Sequence, residues 1–197
     1  MTQETLITQA QFRRMPWKNG KGETLELLKL EDDKGVKFRI SQAAVSESGV
    51  FSDFSGLERH LVLIAGKGMR LVHQSEQGHV THDDLLHELD IATFYGGDMT
   101  TSELLDGAIE DLNIMVRRDD TKALVQAVYA SSDVLNQAGQ QAYYYANQVS
   151  NISVDQGAKE LIMPKDSFLI MDEKSDYQLH KGAGVFIKIS ADERLVR

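Results

Sequence analysis

Two stretches of this 197-residue chain set polar groups into apolar alternation. In DLNIMVRR, residues 111–118, Asp111, Asn113, Met115 and Arg117 fall on one face of an extended strand; Leu112, Ile114 and Val116 fall on the other. The apolar face backs a core, so the face with Asp, Asn and Arg meets either water or a lined cavity. In the second case it is a pocket wall with an acceptor, an amide and a fixed positive charge. In RHLVLIAG, residues 59–66, Arg59 shares a face with Leu61 and Leu63, while His60, Val62 and Ile64 take the other. Its guanidinium either stands at the mouth of a sandwich or snorkels, with its stem along apolar surface.

Two further patterns carry weaker chemistry. His79 and His82, with Asp83, lie in the acidic segment QSEQGHVTHDDLLHELD, which His73 precedes and which also holds His87. They are the right residue types for a metal, but histidines scattered through a polar loop are ordinarily solvated. Gly20-Lys21-Gly22-Glu23 resembles a phosphate-gripping loop only in part. A Walker loop enters a helix, whose first amides hold the phosphates, and this one runs into TLELL, which alternates as a strand. The simpler reading is a turn before an edge strand, with Trp17 as a plug.

The elements that must position these groups are strands. ETLELLKL (23–30), KFRISQAAV (37–45), HLVLIAG (60–66), MRLVH (69–73), LNIMVRR (112–118), ALVQAVYA (123–130), AYYYA (142–146), SFLIM (167–171) and GVFIKIS (184–190) are short and bounded by Gly, Asp, Asn or Ser. Such a series predicts an all-β sandwich or barrel. ALVQAVYASSDVLNQA, residues 123–138, also fits a helix, with apolar residues at three- and four-residue spacings. Gly66-Lys67-Gly68 reads as a hairpin turn. Residues 161–190 repeat the strand–turn–strand outline of residues 38–72, which predicts two β-sandwich units without a low-complexity linker.

Bulk composition narrows the function. The absence of cysteine excludes disulfides, thiolate zinc sites and cysteine nucleophiles. No apolar run reaches the roughly 20 residues of a membrane span, and the N-terminal residues lack the pattern of a signal peptide, so a cytoplasmic protein is expected. A net charge of −9 argues against nucleic acid and anionic membranes as partners.

The strings PWKNGKGETLEL, FRISQAAVSESGVFSDFSGLERHLVLIAGKGMRL and FYGGDMTTSELLDGAIEDLNIMVRR, covering residues 16 to about 118 in order, resemble the successive blocks of the HutD/Ves family. Lys21, where members often carry glycine, and Ser55, where proline often precedes the glycine, depart from the pattern. The resemblance implies an all-β bicupin, two jelly-roll sandwiches in one chain. It divides the chain into an N-terminal unit of residues 1–118 and a C-terminal unit of residues 119–197. The family is associated with histidine utilisation in some bacteria and stress responses in others, with no assigned reaction.

Cupins often hold a metal, through two histidines one residue apart and a carboxylate seven residues before the turn glycine. Counting back seven from Gly66 reaches Arg59, and the histidine places fall among Phe51, Ser52, Asp53 and Phe54. A guanidinium repels a divalent cation and phenylalanine offers no lone pair, so no metal and no cofactor is expected. A small organic acid fits better, because an arginine fork matches a carboxylate in two bonds. The expected ligand-binding residues are Lys18, Asn19, Arg59, Asp111, Asn113 and Arg117. Three function classes stay open: a regulatory binding protein for an amino-acid-derived carboxylate; a metal-independent isomerase, hydrolase or lyase with Asp111 as base; and a ligand-free interaction module. The expected partners are the acid ligand and, in an oligomer, a second copy of the chain.

Overall fold

The computed structural model describes residues 4–17, 22–130, 134–136 and 141–191. The chain divides into two units, one of residues 13–122 with 191–197, the other of residues 1–12 with 123–190. The described residues contain strands and one short 3-10 turn at Gln9–Gln11, with no helix long and apolar enough to cross a membrane.

Strand β1 (Thr5–Ile7) precedes the 13–122 unit. That unit holds β2 (Arg13–Pro16), β3 (Glu23–Asp32), β4 (Gly35–Val45), β5 (Gly49–Val50), β6 (Leu57–Ala65), β7 (Met69–Gln74), β8 (Val80–Leu85), β9 (Ile91–Tyr95), β10 (Met99–Leu104) and β11 (Ile109–Arg117). Among the described residues they form a six-stranded sheet, ordered β2-β3-β4-β11-β6-β9, and a four-stranded sheet, ordered β5-β10-β7-β8. The core between them comes from both: Leu61 and Leu63 on β6, Met69 and Leu71 on β7, Leu85, Ala92, Phe94 and Ile109. Full burial of each leucine is worth about 1.5–3 kcal/mol. Period-two alternation therefore sets the register of β6 and β11, since a one-residue slip would reverse every side chain.

Gly66 and Gly68 turn the chain between β6 and β7 with φ of 104° and 109°. A Cβ on Gly66 would lie 2.7 Å from Ile109 Cγ2 and 2.8 Å from the Ala108 carbonyl, so the turn needs glycine for its space as well as its dihedral.

The second unit contains β12 (Thr121–Tyr129), β13 (Val134–Asn136), β14 (Ala142–Ala146), β15 (Ser150–Val154), β16 (Lys159–Met163), β17 (Ser167–Ile170), β18 (Tyr177–Lys181) and β19 (Ala183–Ala191). They form a five-stranded sheet, β1-β17-β14-β19-β12, and a four-stranded sheet, β13-β18-β15-β16. Side chains including Tyr144, Ile152, Leu169, Met171, Tyr177 and Phe186 make its core. The buried Tyr144 hydroxyl has Ser150 Oγ at 2.9 Å, and the Tyr177 hydroxyl accepts from the Asp172 amide at 2.8 Å.

Residues 121–129 are extended, in keeping with the strand read from ALVQAVYA, and β12 joins β19 in a sheet, which decides against the helical alternative. One expectation changes here. The first residues group with 123–190, not with the N-terminal unit. Thr5–Ile7 pairs antiparallel with Phe168–Ile170, and the backbone ladder is the physical reason.

Candidate functional site

Backbone register brings three of the expected residues together. On the inner face of the six-stranded sheet, Arg59 of β6 lies opposite Met115 of β11, Leu61 opposite Asn113, and Leu63 opposite Asp111. Arg59 Nη2 donates to Asn113 Oδ1 at 2.7 Å, and Asn113 Nδ2 donates to Asp111 Oδ1 at 2.6 Å. Arg59 is 3% exposed and Asp111 1%, so this part of the face is turned away from water. The Arg59 Nε has no hydrogen-bond partner among the described residues.

Three phenylalanines surround the guanidinium. The Arg59 Cζ lies 5.0 Å from the centroid of Phe51, 5.2 Å from Phe54 and 5.0 Å from Phe94. The guanidinium carbon lies over each ring, whose negative face attracts the cation in place of water. Phe94 reaches Arg59 because the two residues are paired across β9 and β6. Phe51 and Phe54 come from a loop with its own anchors: the Phe51 amide donates to the Thr100 carbonyl at 2.8 Å, and the Phe54 amide to the Gly96 carbonyl at 2.9 Å. A Cβ on Gly96 would stand 2.6 Å from the Phe54 carbonyl oxygen, so only glycine lets the loop lie this close. Asp53 accepts from the Ser55 amide and hydroxyl at 2.8 and 2.7 Å, which holds its carboxyl below the usual range and makes it a loop brace.

The electrostatics follow from burial. Desolvation pushes the Asp111 carboxyl up to about 7, against the pull of Arg59 and the Asn113 hydrogen bond. Desolvation likewise brings the Arg59 guanidinium down to about 10, although Asp111 draws it the other way. It remains a cation at neutral pH.

His73 also borders the site, although the sequence suggested a solvated segment. It is 2% exposed, and its ring stacks on Phe94 at 4.2 Å between centroids. Its Nδ1 lies 3.0 Å from Thr100 Oγ1 and its Nε2 3.2 Å from Asp83 Oδ2. Burial pulls its pKa down, with the Arg59 charge adding to that shift. His79, His82 and His87 are exposed. Arg39 and Glu26, one bonded to the other at 2.9 Å, lie on the same inner face as Asn113 and Arg59 and went unnoticed in the sequence. Their opposite charges on separate strands gave no local signal.

Arg117 is a correction. Its Nη1 and Nη2 donate to the two oxygens of Asp32 at 2.7 and 2.6 Å, and its Nε and Nη2 donate to Asp120 at 3.0 Å each. The tip of the β3–β4 hairpin brings Asp32 to the end of β11, so two carboxylates of the chain occupy the fork that a ligand was expected to take. Both bonds hold Asp32 well below the usual carboxylate range. Lys18 and Asn19 lie outside the described residues. Trp17 is a half-buried plug whose Nε1 donates to Thr24 Oγ1 at 2.9 Å and whose ring borders the core.

The donor set around Arg59 does not suit a divalent cation. Its neighbours are three phenyl rings and an amide, and the guanidinium itself repels a metal. Among the described residues no three His, Asp or Glu side chains converge on a common point.

Antiparallel sheets packed around apolar cores define an all-β protein. Oxalate decarboxylase of Lactobacillus farciminis, in a formate complex, superposes with a TM-score of 0.63 at 9% identity, covering 96% of this chain and 86% of that one, which establishes likeness of fold alone. The HutD family model matches residues 9–187, and the chain belongs to that family. An uncharacterised 21.2 kDa protein of the hutC 3′ region of Pseudomonas putida is 30% identical over 163 residues, 82% of each chain. Protein Ves of Citrobacter koseri is 35% identical over 120 residues, 58% of this chain and 60% of its own length. HutD from Pseudomonas fluorescens SBW25, solved in a formate condition, gives a TM-score of 0.80 at 25% identity, covering 96% of this chain and all of that one.

Proposed function

We propose that this protein is a cytoplasmic bicupin that binds a small, amino-acid-derived carboxylate at Arg59 without a metal, in a regulatory role. The observation that carries this reading is the Arg59 Nε, buried and without a partner among the described residues, on a guanidinium whose Nη2 donates to a neutral amide. An uncovered donor on a buried cation is costly, and a carboxylate is the group whose two oxygens satisfy such an edge. Two sheets in each unit support the bicupin assignment. The relative named for the hutC 3′ region supports a histidine-utilisation context.

The test is calorimetric titration of formate, glutamate, formylglutamate and urocanate into the wild type and Arg59→Ala. Loss of the arginine weakens the bound acid by about 1.5–3 kcal/mol, the worth of a charge-assisted hydrogen bond. An acid that binds both proteins equally would remove Arg59 from the site.

A second reading is a metal-independent enzyme acting on a similar acid. The Asp111 carboxyl, held near 7, is poised as a general base. Turnover of any of these acids, lost in Asp111→Asn, would select it.

A further inference from the structure

Arg59 and Asp111 are a buried guanidinium and a buried carboxyl on one sheet face, and the Asn113 amide is hydrogen-bonded to both. A carboxylate docked on Arg59 brings a second anion to the single cation. Two buried anions cannot both be compensated by one guanidinium, and protonation of one is the least costly relief. Resting on the carboxylate reading of Arg59, we propose that Asp111 takes up one proton from solvent when the ligand binds, so that the site takes an acid as carboxylate plus proton.

The surrounding charges leave this role to Asp111. On its own strand, Glu110 accepts from Gln42 Nε2 at 2.9 Å and adds negative charge beside Asp111. On β4 and β3, Arg39 and Glu26 neutralise each other, and Arg13 of β2 lies 3.6 Å from Glu26. From β6, the His60 ring pairs with Glu58 on the opposite face from Arg59. From the four-stranded sheet come His73 and Asp83, with Asp98 acting on His73 from the turn before β10. His73 is the competing proton acceptor, being buried and stacked on the Phe94 ring that also faces Arg59. Its two ring nitrogens already face Thr100 and Asp83, whereas Asp111 is linked to Arg59 through one amide.

The sign is fixed by the free protein. Below about pH 7 Asp111 is already protonated and binding takes up nothing, so affinity is flat with pH. Above that value each binding event draws a proton from solvent, and affinity falls about tenfold per pH unit.

The experiment uses formate as the probe and calorimetry at about pH 8 in buffers of different ionisation enthalpy. The expected result is uptake of one proton per formate by the wild type and by His73→Gln, and none by Asp111→Asn, whose affinity no longer changes with pH. Carbon-13 NMR of carboxyl-labelled aspartate in the wild type, with and without formate, reads the Asp111 protonation state without any variant. Formate binding with no proton uptake overturns the proposal, as does uptake that survives Asp111→Asn or vanishes in His73→Gln alone. No formate binding at any pH overturns the carboxylate reading of Arg59 itself, and this inference with it.

Discussion

Arg59 and Asp111 are joined through a single side chain: Asn113 accepts from the first at 2.7 Å and donates to the second at 2.6 Å. The amide orients both charges while keeping a neutral group against each. Asn113→Leu removes both bonds and leaves two ionisable groups buried without their shared partner. We expect a loss of about 3 kcal/mol, read as a lower urea midpoint at constant slope, at the upper end for a buried hydrogen bond. A shift below about 0.5 kcal/mol, the range of neutral surface changes, would mean that the bridge is incidental.

Stability against pH carries a signature of Asp111. Its folded pKa of about 7 lies above the ordinary carboxyl value of 3.8. The group therefore contributes stability that is complete below the ordinary value and is lost as pH rises through the folded one. Asp111→Asn has no such titration. The difference in unfolding free energy between wild type and variant should change by about 1.4 kcal/mol per pH unit between the two values, with wild type losing ground as pH rises. Buried His60 and His73, both lowered by desolvation, act in the opposite direction below their ordinary value and cancel in that difference. A flat difference from about pH 5 to 7 would place Asp111 in contact with water.

Gly96→Ala tests the loop that carries Phe54. The new Cβ meets the Phe54 carbonyl at 2.6 Å, so the loop must move and its ring leaves Arg59. We expect weaker formate binding with a smaller change in overall stability, of about 1–3 kcal/mol as for other overpacked sites. Unaltered binding would show that the Phe54 ring does not shape the site.

Elemental analysis of protein purified without a histidine tag should find Zn, Fe, Mn and Ni well below one equivalent. One tightly held equivalent, lost on replacing Asp53 or His60, would show that a cation site exists despite the guanidinium.

What the sequence made legible was local. Alternation along residues 59–64 and 111–117 assigned faces, and those faces are the ones in the structure. It could not say which groups meet across sheets. Arg117 finds Asp32, 85 residues earlier in the chain, and that partner lies at the tip of a hairpin with no periodicity of its own. His73 and Phe94 stack between two sheets, and nothing in either strand marks the other. The spacing of residues 123–129 suits both a helix and a strand, and only pairing with a strand far along the chain decides it.

The pairing of Thr5–Ile7 with Phe168–Ile170 has a consequence for biosynthesis. Chains emerge from the ribosome at roughly 5–20 residues per second. A strand near the beginning must then wait on the order of ten seconds for its partner, while residues 13–122 can complete both of their sheets. During that interval the nascent chain carries an open β edge, which a chaperone or a neighbouring nascent chain can pair with first.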